Sequence, residues 1–231
     1  MSSAEQKILK EIYRRLLTAY GPQHWWPADE PFEVMVGAVL TQSTAWANVE
    51  KAINNLKAAD SMAPDALRRL SLEDLAALVR PSGYYTIKAH KLKALVEWLG
   101  LQDDDLAKLS ADGADRLRRE LLAIYGIGDE TADSILLYAF GKPAFVIDAY
   151  TRRIIDRIGI SPSGKRYSDY QRLFMDNLRK DVAIFNEYHA LFVEHGKCTC
   201  RKVPLCLGCC LLDICECGLA VARSESGFQP N

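Results

Sequence analysis

LLAIYGIGDETADSILLYAFGKPAFVIDAYTRRI, from Leu121 to Ile154, holds two helical patterns interrupted by Gly126-Ile127-Gly128. Glycine reaches positive φ without a Cβ penalty, so this tripeptide predicts a very tight helix-hairpin-helix turn with exposed backbone N–H groups. Those donors, together with the N-terminus of the following helix, suit a phosphate of DNA, although a plain interhelical turn would use the same glycines. Further on, Asp148 follows the apolar run Ala144 to Ile147 and precedes Tyr150, Ile154, Ile155 and Ile158 at helical spacing. Spacing alone favours a helix N-cap there. An N-cap aspartate is also held ionised by the helix dipole and backbone donors, and a fixed carboxylate can stabilise a developing cation or orient water.

Outward from this stretch the apolar spacing stays helical. Ile8, Ile12, Leu16 and Tyr20 recur every four residues, while Trp46, Val49, Ile53 and Leu56 alternate steps of three and four. No long segment alternates with period two, so the expected class is all-α, with about ten helices. Ser71, Ser110 with Asp112, and Ser168 read as start signals; Gly21-Pro22, Pro81-Ser82-Gly83, Gly141-Lys142-Pro143 and Ser161 to Gly164 read as stops. The tail after Cys217 is small and polar and is expected to fray. With 231 residues, 49% of them hydrophobic, the chain can bury one good core or two small ones. A net charge of -1 requires any nucleic-acid surface to be local. The charged N-terminus and the lack of a spanning apolar run argue against export or a membrane, so a cytoplasmic protein is expected.

All seven cysteines fall between Cys198 and Cys217. A disulfide framework would spread them; clustering reads as thiolate ligation of a metal or iron–sulfur centre. From Cys200, Cys206, Cys209 and Cys215 the spacing is C-x5-C-x2-C-x5-C, a complete ligand set for either a [4Fe-4S] cluster or structural zinc. Spacing does not separate the two. Cys198 is an alternative first ligand, and Cys210 and Cys217 are surplus, read as buried or free thiols.

Gly-Ile-Gly-x-x-Thr-Ala followed by Val-Ile-Asp-x-x-x-x-Arg resembles the helix-hairpin-helix, Gly/Pro loop and aspartate signature of the endonuclease III superfamily of DNA glycosylases. Val36 to Thr44 resembles the family segment whose glutamine fills the gap left by the extruded nucleotide, and Gln42 takes that place. Ser82-Gly83-Tyr84-Tyr85 to Lys88-Ala89 is similar to the family's glycine-aromatic and Lys-Ala segment. The resemblance spans residues 30 to 217 and implies that Asp148 is the catalytic carboxylate. It also implies a [4Fe-4S] cluster rather than zinc, following His195-Gly196, although the family's first cysteine interval is typically one residue longer. In the family the cluster is structural and holds a basic loop against DNA, which implies phosphate contacts for Lys197, Arg201 and Lys202; their other reading is ordinary solvated charge.

Two departures refine the expectation. Bifunctional members carry a lysine two residues after the second hairpin glycine, whose amine attacks the sugar. This chain has Glu130 there, and a carboxylate forms no imine, so a monofunctional enzyme without strand cleavage is expected. A displaced lysine, Lys142 or Lys88, is the alternative. Trp25-Trp26 before Pro-x-x-x-Pro-Phe, with Trp46 downstream, resembles the 3-methyladenine branch, whose aromatics line the base pocket; taken by themselves the tryptophans read as core packing. Such rings suit a cationic alkylated purine, and Glu130 fits that branch too.

The expected architecture is two-lobed: a six-helix barrel over residues 29–142 ending in the hairpin, and a second lobe of residues 1–28 and 143–231 carrying Asp148 and the cysteine loop, with DNA entering between them. The expected function is hydrolysis of alkylated purines such as 3-methyladenine from duplex DNA by a monomer that associates with the nucleoid. The competing readings are a glycosylase for oxidised, deaminated or mismatched bases and a catalytically idle DNA-binding scaffold.

Overall fold

The computed structural model describes residues 3–28 and 30–225, and among them helices are the only regular element. The expected lobe boundary at residue 29 and the end of the tail, beyond residue 225, lie outside the described residues. Two compact units emerge: the described part of Met1–Trp25 with Ala144–Asn231, and Trp26–Pro143.

In chain order, α1 (Ala4–Tyr20) belongs to the first unit. The second unit holds α2 (Pro31–Leu40), α3 (Trp46–Ala58), α4 (Pro64–Arg69), α5 (Leu72–Leu78), α6 (Tyr85–Gly100), α7 (Leu106–Ala111), α8 (Ala114–Ala123) and α9 (Asp129–Ser134). The chain then returns to the first with α10 (Ala149–Ile158), α11 (Tyr167–Met175), α12 (Val182–Cys198) and α13 (Glu216–Glu225). Among the described residues thirteen α-helices therefore replace the expected ten or so. The additional ones include α4 and α7, of six residues each, too short to repeat an apolar face. The tail is helical through α13 instead of fraying after Cys217.

Capping explains where the start signals hold and where they fail. The Ser71 hydroxyl accepts from the Asp74 amide and opens α5. Ser110 lies inside α7 and Asp112 closes it, while α8 starts after Gly113. Ser168 lies within α11, whose entry is fixed from behind: the Arg166 amide donates to Asp169 Oδ2 at 3.0 Å.

α2 is buried along its length from Phe32 to Leu40 and packs against α3, α6 and α9, so it forms the axis of the second unit. In the first unit α12 packs against α1 and α10, around an aromatic core in which Phe145 stacks on Phe174 at 3.8 Å and Tyr188 on Phe192 at 4.6 Å.

The hairpin joins α8 to α9. Gly126 has φ +80°, and a Cβ there would lie 2.4 Å from Lys91 Cγ, so both backbone conformation and space demand glycine. Ile127 is buried and pins the turn to the core. Across the hairpin, Arg118 of α8 donates to Asp133 of α9 at 2.7 and 3.0 Å and to Asp129 at 2.7 Å. Asp133 is fully buried. Beyond it α9 widens into a single π turn, Ile135–Ala139. Arg118→Met takes the guanidinium away from the buried Asp133 carboxylate and should cost about 3 kcal/mol in urea melts, with Arg118→Lys recovering part of the loss.

Candidate active site

α10 is strongly amphipathic, burying Thr151, Ile154, Ile155 and Ile158, and Asp148 sits at its N-cap with φ −97° and ψ −178°. Asp148 Oδ1 accepts from the Thr151 amide at 2.7 Å. The other oxygen, Oδ2, lies 3.7 Å from His189 Nε2 of α12, within ion-pair range but beyond a hydrogen bond. Just before the cap, the Ile147 amide donates to the Tyr167 hydroxyl at 3.2 Å, fixing the approach of the chain. Burial by itself would raise the Asp148 carboxyl; His189 and the Thr151 donors outweigh it and hold the group below the ordinary carboxylate range. A cap and an ionised, oriented carboxylate are thus the same residue. His189 had no sequence signal, standing inside the helical run of α12 outside any motif.

The early tryptophans separate. Trp25 lies in the first unit, its ring edge-on to His189 at 6.0 Å and under the Lys197 ammonium at 5.6 Å. Trp26 lies in the second, packed edge-on against Trp46 at 5.3 Å and against Tyr138 at 5.0 Å. Its ring covers Gly37 of α2, where a Cβ would come within 3.3 Å of it. Tyr138 belongs to the π turn, which periodicity could not foresee because the insertion shifts the helical phase. Glu130 is exposed in the first turn of α9, beside the hairpin.

Gln42 follows the C-terminus of α2 and reaches the hairpin. Its Nε2 donates to the Gly126 carbonyl at 3.0 Å and to Thr131 Oγ1 at 2.9 Å, and its Oε1 accepts from Lys91 Nζ. Lys88, one turn before Lys91 on α6, is buried and donates to the carbonyls of Leu40 at 2.8 Å and Ser82 at 2.6 Å. Burial, with the nearby Lys91 charge, lowers its pKa to about 8. Lys142 Nζ donates to the Ser110 carbonyl. Both lysines considered as displaced nucleophiles therefore serve backbone carbonyls.

Cys200, Cys206, Cys209, Cys215 and Cys217 line one hollow in the first unit, with His195, Arg157 and Ile154. Cys198 is exposed and donates to Glu194 at 2.8 Å, away from that hollow. Cys210 is also outside the lining. Among the described residues no three His, Cys, Asp or Glu side chains converge to hold a single metal ion. α10 grips this loop: Arg153 donates to the carbonyls of Cys200 and Gly196, and Arg157 to those of Arg201 and Lys202 and, at 3.2 Å, to Cys200 Sγ. Lys197, Arg201 and Lys202 are exposed along its edge. Gly196 is required because the Tyr150 ring lies where a Cβ would be, 2.3 Å from it.

With this geometry in place, comparison with known proteins identifies the class. Residues 36–180 match the HhH-GPD superfamily base excision DNA repair proteins, and the chain belongs to that family of DNA glycosylases. A candidate DNA repair glycosylase of Methanocaldococcus jannaschii is 43% identical over 217 residues, 93% of this chain and 99% of that protein. Endonuclease III of Sulfolobus acidocaldarius is 29% identical over 187 residues, 80% of this chain and 81% of its own. Among solved structures, the Helicobacter pylori 3-methyladenine DNA glycosylase bound to 1,N6-ethenoadenine superposes with a TM-score of 0.73 at 29% identity, over 84% of this chain and 97% of that one. No described helix is long and apolar enough to cross a membrane.

The lowered Asp148 pKa has a definite sign for stability. Its ionised form contributes fully above the unfolded aspartate value, about 3.9, and the contribution is lost as pH falls through the lower folded value. Thermal melts should therefore give wild type a small advantage over Asp148→Asn at neutral pH that disappears on acidification below about pH 4.

Proposed function

We propose that the protein is a monofunctional DNA glycosylase that removes alkylated purines, 3-methyladenine above all, from duplex DNA. The observation that carries the chemistry is the Asp148 carboxylate: buried, ionised and clamped by the α10 cap and His189. As the bond between sugar C1′ and the base nitrogen breaks, its electron pair leaves with the base and the sugar becomes an oxocarbenium-like cation. A fixed anion stabilises that charge without reorganising, and water adds to C1′ to complete the hydrolysis. Strand cleavage through an imine would need a free amine near Glu130, and Lys88 and Lys142 are both held by carbonyls.

The lesion class is supported by the aromatic set Trp26, Trp46 and Tyr138, whose ring quadrupoles attract a cationic base, and by the likeness to the H. pylori enzyme. Trp25, flanked by His189 and Lys197, contributes an aromatic face on the first unit instead. The second reading, oxidised or deaminated bases, is favoured by the likeness to endonuclease III of S. acidocaldarius. Phosphate contacts are assigned to the hairpin Gly126, Ile127 and Gly128 and to Lys197, Arg201 and Lys202; Gln42 fills the gap in the stack.

Cys200, Cys206, Cys209 and Cys215 would hold a [4Fe-4S] cluster. These are four of the five thiols that line one hollow, and a cubane takes four thiolates, one at each metal corner. Burial, with the neighbouring thiols, pushes Cys206 up to about 11, so the group needs positive charge before it ionises. Bound there, the cluster would supply a cross-link for the basic loop.

A panel of lesion duplexes should give base release from alkylated purines, with strand breaks only after alkali or heat; direct nicking with a borohydride-trapped adduct would sink the monofunctional reading. Release of oxidised pyrimidines alone would select the second. Asp148→Asn should slow single-turnover release by ~10² to 10³ while DNA affinity and melting temperature change little, because asparagine still caps α10. Purified protein should carry about four irons per chain. Cys198→Ser should keep that iron and Cys200→Ser lose it, since of these two Cys200 alone faces the hollow.

A further inference from the structure

The side chain assigned to the gap in the DNA stack is not a free finger. Both polar ends of the Gln42 amide are engaged: Nε2 by the Gly126 carbonyl and Thr131, Oε1 by Lys91. The Lys91 stem lies across Gly126, filling the space that a Cβ would need. A cation, the gap-filling amide and the hairpin carbonyl thus form one chain of hydrogen bonds.

The loop that presents Gln42 is itself over-determined. Ser43 adopts φ +54°, a conformation that costs energy for a residue with a Cβ. It is held by anchors on both sides of it. Upstream, Thr41 Oγ1 donates to the Gly37 carbonyl at 2.6 Å and Lys88 takes the Leu40 carbonyl. Downstream, the Thr44 amide donates to the Thr41 carbonyl at 3.1 Å. Lys88 and Lys91 are three residues apart on α6 and so project from neighbouring positions of one helix face. Lys88 fixes the backbone leading into the loop, and Lys91 fixes the side chain it presents.

We propose that Lys91 is a positioning residue for base extrusion: by holding the Gln42 amide against the Gly126 carbonyl, it pre-sets the gap-filling side chain relative to the turn that clamps the DNA strand. This rests on the glycosylase reading and deepens it. A glutamine side chain has several rotamers, and fixing them before DNA arrives removes an ordering cost from the extrusion step. Lys91 acts through Gln42 and need not touch the nucleotide.

The test is the fluorescence of a duplex holding 2-aminopurine at the extruded position, which brightens when the base unstacks, measured with the full-length protein. Lys91→Met should lower the extruded population roughly tenfold, as expected when a hydrogen bond to a charged group is lost. Melting temperature should stay near wild type, and Lys91→Arg should restore most of the signal. The double variant Gln42→Ala with Lys91→Met should be no worse than Gln42→Ala, because the lysine acts only through the glutamine. Additive losses, or a weaker salt dependence of binding to undamaged duplex, would mean that Lys91 contacts phosphate directly and would overturn the proposal. Unchanged or increased extrusion in Lys91→Met would overturn it as well. If wild type extrudes no base from any duplex, the glycosylase reading fails and the proposal with it; normal wild-type extrusion with an unaffected variant removes the proposal alone.

Discussion

The N-terminus of α10 is the constraint on which the first unit depends. Asp148 closes this helix with one carboxylate oxygen and faces His189 with the other, so the geometry that satisfies an orphan amide also fixes a buried negative charge. The cost of burying that charge is offset by a backbone donor and an imidazole, and the result is an anion that cannot rotate away from its cap. A residue serving as both cap and carboxylate tolerates little change, because a neutral cap keeps the helix but not the charge.

The same helix organises the cysteine loop. Arg153 and Arg157 take four carbonyls from Gly196 to Lys202, backbone groups that no helix or strand would otherwise satisfy. Arg157 also reaches Cys200 Sγ, and Tyr20 ties His195 from the far side through Nδ1 at 2.8 Å. The loop is therefore shaped by guanidinium and tyrosine contacts as well as by its thiols, and its exposed basic residues are carried on a backbone already gripped by α10. Asp148 and the loop are tied to one helix, which carries the first at its N-cap and grips the second through two arginines.

In the second unit, lysines do structural work that their charge would not suggest. Lys88 and Lys91 satisfy, respectively, the carbonyl end of α2 and the amide of Gln42, while Lys142 holds α7 through Ser110. An ammonium near a helix C-terminus is favoured by the helix dipole as well as by hydrogen bonding. This is also the physical basis for doubting any of these amines as a nucleophile: each is turned onto an oxygen of the protein itself.

Gly126 of the hairpin, the aspartate before an amphipathic helix, the clustered cysteines and the helical period were all legible in the sequence, because each depends on local backbone geometry or on composition within a few residues; Gly128, at φ −98°, did not need the positive φ expected of the pair. The all-helical class followed from periodicity alone. Short helices such as α4 and α7 were not legible, since six residues cannot repeat a face, nor was the π turn that carries Tyr138, since an insertion breaks the period that would reveal it. Trp25 and Trp26 are adjacent in the chain yet belong to different units, a division that only packing could make. His189 against Asp148, Lys91 against Gln42 and Arg157 against Cys200 join residues 41, 49 and 43 positions apart. Their partners were chosen by the way buried charge and orphan carbonyls find compensation in three dimensions, which no local pattern encodes.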